Sequence, residues 1–383
     1  MISELNIQNF KIHRNTRLSI GGLTVLAGVN SSGKSSVLQS LLLLRQSFMK
    51  GRIAEGLELN DSLCRLGKGQ DVLYRLAGSN EMVFDMTDGI TCRFAYNVEA
   101  DLDKTFLHRI KEDGTKAPGF ADFSLFGKNF QYVSSLRGGG ESHYGSYDYE
   151  VGERQQISKE LGRGEAVAHY LHYHRADDSF SYLDESYGDK VELFGQVEAW
   201  ERKLSPGITL TVQKGSSDGY DVFYGYVKDG VKPISGLRAE NIGYGISHAL
   251  PVVVALVSAQ PGSLILLENP EAQLHPLGQS ELAALICRAV QNGVQVVLET
   301  HSDHILSGIQ LAALRYEKGV AGGLDRRKIR LYYFDKDEAT RTFARPTEVR
   351  ILPDGQLDHQ PIGFFDQEAD VFLERQRLLR SNG

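Results

Sequence analysis

The chain has 383 residues and a formal charge of −7 at pH 7. That length suits one large domain or two intertwined ones, and the hydrophobic fraction of 41% is that of an ordinary globular protein. The charge argues against a protein that coats nucleic acid with its whole surface, but it leaves a local basic patch open. Cys64, Cys92 and Cys287 show no metal-ligand spacing and read as reduced thiols of a cytoplasmic protein. The first residues lack a signal-peptide pattern. The longest apolar run, 249–257, is too short to cross a bilayer and contains Pro251, so no membrane partner is expected.

In chain order, residues 2–7, 16–20 and 23–27 read as three short strands, a β-meander, with turns at 8–11 and 21–22. Next comes Gly28-Val29-Asn30-Ser31-Ser32-Gly33-Lys34-Ser35, which reads G-x-x-x-x-G-K-S, followed by Ser36 and a helix-like run to about Met49. Strand, glycine loop and helix together are the context a phosphate-binding loop requires. The amides of Gly28, Asn30, Ser31, Ser32, Gly33 and Ser36 suit phosphate oxygens, and the helix N-terminus adds partial positive charge. Lys34 is expected at the β- and γ-phosphates, and Ser35 on Mg²⁺. ATP or GTP with Mg²⁺ is therefore the expected ligand. No N-K-x-D guanine-reading motif is evident.

Residues 50–62 read as a polar surface connection. Gly67-Lys68-Gly69-Gln70-Asp71 follows. Residues 82–98 read as a hairpin about Asp88-Gly89. Arg137 ends a strand-like run, and it is either a phosphate contact or an ordinary surface arginine. His169 and His172 are i,i+3 on one helix face without a third ligand nearby. Residues 191–204 carry apolar side chains at helical spacing. Residues 208–212 and 222–227 read as a hairpin turning at 216–219. No heptads occur, so no long coiled coil is expected. Residues 264–268 are a buried strand ending in Glu268, and 294–299 are another, ending before Thr300-His301-Ser302. Residues 315–330 are basic, residues 329–334 look like a last strand, and a hairpin turn is expected at Asp354-Gly355.

The opening ISELNIQNFKIHRNTRLSIGGLTVLAGVNSSGKSSVLQSLLLL closely resembles the ABC-type ATPase heads of the SMC and RecF kind. ENPEAQLHP resembles the Walker B text of RecF-like and OLD-like ATPases. Together with NIGYGIS, ETHSDHIL and GFFDQ, these segments resemble prokaryotic AAA-type ATPases with a short C-terminal domain of unknown function.

The resemblance implies an α/β fold: an ABC-type P-loop head with an N-terminal meander and a RecA-like mixed sheet. Its expected parts are a first half at 1–79, a mixed α/β insertion at 80–235, a second half at 236–345 and a tail at 346–383. It implies Mg²⁺ held by Ser35 and Glu268, with Gln70 either at the metal and attacking water or a solvated turn residue. It puts His301 at the γ-phosphate. Gly243, Gly245 and Ser247, before an apolar helix expected from His248, would serve a second subunit's ATP, so a homodimer sandwiching two nucleotides is implied.

One departure matters. Asn269 stands where such heads carry the glutamate that activates water, and a carboxamide can orient water but cannot take its proton. Glu271 is the alternative. The resemblance also suggests an effector or nuclease partner in phage defence or DNA repair, with nucleic acid as a further candidate partner. The competing reading is an ATP-gated clamp with negligible turnover. A stand-alone OLD-type nuclease needs a cluster of acids in a further domain, which the roughly 50 residues after Phe334 lack.

Overall fold

The computed structural model describes residues 1–110, 119–120, 123–177, 192–215, 218–227, 234–335, 343–360 and 375–377. Val191, the turn residues Ser216 and Ser217, and the GFFDQ segment lie outside them.

The first half contains β1 (Glu4–Phe10), β2 (His13–Ser19), β3 (Leu23–Gly28), α1 (Lys34–Met49), β4 (Gly56–Glu58), α2 (Gly69–Val72), β5 (Glu81–Asp88), β6 (Ile90–Asn97), β7 (Phe106–His108) and β8 (Phe130–Val133). The middle adds β9 (His143–Tyr144), α3 (Val167–Tyr173), α4 (Leu193–Leu204), β10 (Ile208–Lys214), β11 (Tyr220–Tyr226) and β12 (Ile234–Arg238). The rest is α5 (Tyr244–Val257), β13 (Leu264–Glu268), α6 (Pro276–Gln291), β14 (Gln295–Glu299), α7 (Asp303–Glu317), β15 (Ile329–Asp335) and β16 (Arg345–Val349).

The centre is a six-stranded sheet in the order β16-β15-β3-β14-β13-β8. Only the β15–β16 pair in it is antiparallel. Its inner strands are apolar on both faces, as strands covered on both sides must be. Leu26, Leu264, Leu266, Val297, Tyr332 and Phe334 pack with α1 and the N-terminal strands. The alternate residues Val25, Ala27, Ile265, Leu267, Val296 and Leu298 pack against α5, α6 and α7. The helix α1 is apolar around most of its circumference because it lies under that first layer, with Leu41 to Leu44 all buried.

Two strands of the expected meander, β1 and β2, form a hairpin, whereas β3 enters the central sheet. The hairpin β5–β6 turns at Gly89, as the sequence implies, but β5 pairs with β1 and completes that antiparallel layer. Likewise β8 pairs with β13 at the edge of the central sheet. The stretch 80–235 thus supplies strands to both sheets as well as the β9–β12 sheet and the helices α3 and α4. Residues 50–62 are less superficial than their composition implies, because Gly56 and Leu57 are buried in a pairing with β7. The turn at Gly355 forms, with the amide of Leu352 donating to the carbonyl of Gln356 at 2.7 Å.

Candidate functional site

Three parallel strands end at one edge: β3 runs into the glycine loop, its neighbour β14 ends at Glu299, and the next strand, β13, ends at Glu268. This is the carboxyl edge of the sheet, where open α/β sheets bind their ligands. In register, Glu299 lies beside both Leu26 and Glu268.

The loop conformation depends on its small residues. A Cβ on Gly28 would stand 2.2 Å from the carbonyl oxygen of Phe334, and its φ is +129°. Ser31 (φ +58°) and Gly33 (φ +110°) are also left-handed. The Ser32 hydroxyl donates to the Val29 carbonyl at 2.8 Å and closes the loop, with Asn30 and Ser31 exposed and Ser36 buried at the start of α1. The amides of Ser31, Ser32, Gly33 and Ser35 bond to no other part of the chain among the described residues. That donor set fits polyphosphate oxygens, and the start of α1 adds its dipole. The Lys34 ammonium is buried in the loop and donates to the carbonyls of Gly28 (3.0 Å) and Val29 (2.6 Å).

The carboxylates divide the surrounding space. Ser35 donates its hydroxyl proton to Glu299 Oε1 at 2.8 Å. Burial pushes Glu299 up to about 7; the Ser35 bond opposes this, Glu268 reinforces it, and Lys34 again opposes it. Glu268 accepts from the Tyr132 hydroxyl at 3.0 Å and from Ser135, and burial raises it above the usual carboxylate range. Glu271 is buried, and its Oε1 accepts from the Thr300 hydroxyl (2.7 Å) and the His301 amide (3.1 Å). Its Oε2 is buried without a hydrogen bond, as is Oδ1 of Asn269. Asn269 sits at φ +42°, with its amide on the Glu299 carbonyl. His301 is exposed beside the loop; burial of the ring and then the Lys34 charge lower its pKa, against a bond to Gly28.

The loop, Glu268, Asn269, Glu271 and His301 therefore meet at one edge. Gln70 sits exposed on α2 with its amide on the Leu102 carbonyl, and no side-chain bond joins it to Ser35, Glu268 or Glu299. The helix α5 starts at Tyr244 rather than His248, so Gly245 and Ser247 lie in its first turn. Ser247 is fully buried, and its hydroxyl accepts the Gly140 amide at 2.8 Å and donates to the Tyr244 carbonyl. At that tip the exposed residues are Asn241, Gly243 and Tyr244.

Arg137 is neither a surface arginine nor free for a phosphate. It is 3% exposed, and its guanidinium donates to the carbonyls of Ser134, His248, Glu268, Asn269 and Pro270. Three of these carbonyls, those of Glu268, Asn269 and Pro270, lie at the end of β13 and in the turn after it, and a planar fork can reach all three at once while also meeting Ser134 and His248. His169 is structural as well, accepting the Tyr147 amide and stacking on Tyr220. In the basic stretch, Arg326, Arg327 and Arg330 face Glu317, Asp325 and Glu348.

Two residues that touch the loop carry no role in the sequence reading. His13 reaches from β2 to the Gly33 carbonyl, and Glu299 reaches Ser35. His13 stands in no spacing motif. Glu299 did carry a signal, because V-Q-V-V-L-E repeats the apolar strand and terminal acid of L-I-L-L-E.

A mononucleotide-binding loop at the carboxyl edge of this sheet defines a P-loop NTPase head. A family model described as an AAA domain, which also names the AbiEii toxin and Type IV TA systems, matches residues 90–307. A second, the AAA ATPase domain, matches residues 1–132. The first spans more than half of the chain, and the protein belongs to that AAA-domain family.

An OLD nuclease of Thermus scotoductus is 21% identical over 352 residues, covering 82% of this chain and 61% of the nuclease. The chain thus spans about three fifths of that relative's length. Among solved structures, an SMC head bound to the C-winged-helix domain of ScpA has a TM-score of 0.52 at 13% identity, covering 91% of this chain and 98% of that one. A Pyrococcus furiosus SMC head with an extended coiled coil, bound to the C-terminal domain of ScpA, has a TM-score of 0.51 at 12% identity, covering 98% and 99%. At these identities the likeness is one of fold. No helix among the described residues is long and apolar enough to cross a membrane.

Proposed function

We propose that the chain binds ATP with Mg²⁺ at residues 28–36, dimerises around it, hydrolyses it slowly and acts as a switch for a protein effector or nuclease in phage defence or DNA repair. The observation that carries this reading is the meeting of the loop amides, Lys34, Ser35 and two acids at one sheet edge. Lys34 and the amides bind the phosphates. Ser35 and Glu268 are the groups assigned to Mg²⁺ and water, Gln70 would join them only by a movement of α2, and bound Mg²⁺ would neutralise the charge that grows on the phosphates. Phosphoryl transfer needs little beyond such positioning and charge stabilisation. His301 senses the γ-phosphate, and the α5 tip with Gly243 and Gly245 meets the partner's nucleotide. Closure with ATP and opening after hydrolysis would pass two states to residues 80–235 and the effector.

A non-hydrolysing clamp is favoured by one observation. Glu271 is held on the Thr300 hydroxyl and the His301 amide, and Asn269 has no proton-accepting carboxylate. Steady-state ATP turnover tests both readings, with Lys34→Ala as background and Glu271→Gln beside it. Turnover abolished by both variants supports the ATPase with Glu271 as base. ATP bound without turnover supports the clamp. Absence of binding overturns both.

A further inference from the structure

The sequence assigns the metal-side acid to Glu268, at the end of an apolar strand after the loop motif. The geometry divides that work differently. Glu268 is turned toward β8, where the Tyr132 hydroxyl and Ser135 hold it. The acid that touches Ser35 is Glu299, on the strand between β3 and β13. Its side chain is enclosed at 5% exposure, and its backbone is locked on both sides by parallel pairing with β3 and β13. The Asn269 amide bonds the Glu299 carbonyl at 2.8 Å, which ties the turn after β13 to the end of β14.

A serine hydroxyl has one proton and two lone pairs. When the proton is committed to a carboxylate, the lone pairs are left for a cation, and the oxygen's orientation is fixed. Outer-shell carboxylates of this kind orient metal ligands and raise their basicity. A neutral acceptor in the same place would orient the hydroxyl but add no negative charge for a divalent ion.

We infer that Glu299 is the positioning residue for Mg²⁺ at this loop, holding the Ser35 hydroxyl so that its oxygen faces the ion, and that Glu268 does not fill this place alone. The inference rests on the proposal that the loop binds ATP with Mg²⁺. It goes beyond it in naming an acid outside the Walker B strand as the one that couples nucleotide binding to the metal.

The test is binding of a fluorescent ATP analogue to the full chain, titrated with Mg²⁺ and repeated in EDTA, for wild type, Glu299→Gln, Glu299→Asp and Glu268→Gln. Thermal melting is followed in parallel. Expected is a loss of roughly 10- to 100-fold in Mg²⁺ affinity for Glu299→Gln, with affinity in EDTA unchanged or slightly tighter because a negative charge near the phosphates is gone. Glu299→Asp, which keeps the charge on a shorter side chain, should fall between. An unchanged Mg²⁺ titration in Glu299→Gln overturns the inference. So does an equal loss with and without Mg²⁺ together with a lower melting temperature, which is the mark of a merely structural residue. Wild type that binds the analogue equally well with and without Mg²⁺ overturns it while leaving the nucleotide reading intact. Wild type that does not bind at all overturns both.

Discussion

His13 Nε2 meets the carbonyl oxygen of Gly33 at 3.0 Å and so ties the second strand of the N-terminal layer to the phosphate loop. A carbonyl only accepts, so Nε2 carries the proton, and Nδ1 is left to accept from the Thr16 hydroxyl at 2.9 Å. Burial lowers the His13 pKa to about 4, which keeps this ring neutral at physiological pH. His13→Ala should loosen the loop, weakening nucleotide binding several-fold and costing about 1–3 kcal/mol of stability. His13→Gln can supply one of the two bonds and should recover part of each. Isothermal titration and urea unfolding measure the two effects.

The same histidine gives a pH dependence. Its folded pKa lies below the ordinary value of 6.5, so the folded state binds fewer protons than the unfolded one between about 4 and 6.5. Its contribution is fully present above pH 6.5 and is lost as pH falls toward 4. His248, also lowered to about 4 by burial and then by Arg137, acts in the same direction. Urea midpoints should drop across this window, and the drop should be shallower in His13→Gln.

Arg137 is expected to be the most destabilising single substitution at the site. Five backbone carbonyls lose a guanidinium bond in Arg137→Ala, three of them at Glu268, Asn269 and Pro270, although Ser134 and Asn269 keep a backbone amide as donor. A loss of about 3–5 kcal/mol follows from stranding buried acceptors. Arg137→Lys should recover little, because an ammonium on a flexible stem cannot reproduce the planar fork. Denaturant unfolding that finds the lysine variant near wild type would show that charge, not geometry, holds the turn.

These relationships explain which parts of the molecule were legible. The strands β3, β13 and β14 announce themselves because a strand covered on both faces must be a short apolar run. The loop does so because its backbone needs glycine at fixed offsets. Glu268 and His301 follow as strand-end residues next to those signals. The rest depends on pairings between distant parts of the chain. Ser35 and Glu299 are 264 positions apart, and Arg137 reaches Asn269 across 132. The strands β5 and β8 looked like part of an insertion because local pattern shows that a strand exists but not which sheet it joins. From sequence, Ser247 reads as a donor to a second subunit's nucleotide, just ahead of a helix expected from His248. With the helix beginning at Tyr244, its hydroxyl turns inward to Gly140.

Glu201 on α4 carries a pH dependence of the opposite sign. It is fully buried, neither carboxylate oxygen has a hydrogen bond, and the Tyr224 hydroxyl is buried and unbonded as well. Burial pushes its pKa up to about 8 from an ordinary value near 4.5. The folded state therefore binds the extra proton. Stability from this group is fully present below pH 4.5 and is lost as pH rises through 8. By pH 9 the penalty should be on the order of 3–5 kcal/mol. Glu201→Gln keeps the shape without the ionisation and should flatten the alkaline limb of a melting-temperature profile. An unchanged limb would mean that water reaches the carboxylate.

The tip of α5 offers a paired test of whether a second subunit reads it. A Cβ on Gly245 would stand 2.1 Å from the Gln273 carbonyl oxygen, so Gly245→Ala must push the helix off the turn that follows Glu271. That should cost about 1–3 kcal/mol whether or not the protein dimerises. Gly243 is different. It lies at the helix N-cap with φ −59°, exposed, and an added Cβ meets nothing within 4 Å. Gly243→Ala should therefore leave the monomer's stability within about 0.5 kcal/mol. If the partner's nucleotide packs against this exposed backbone, the added methyl should weaken ATP-dependent dimerisation by roughly tenfold, since 1.4 kcal/mol of lost contact suffices for that. Sedimentation with and without ATP reads the difference. Unaltered ATP-dependent dimerisation in Gly243→Ala, with unaltered stability, would remove this tip from the subunit contact. A dimerisation defect confined to Gly245→Ala would then trace to the displaced helix.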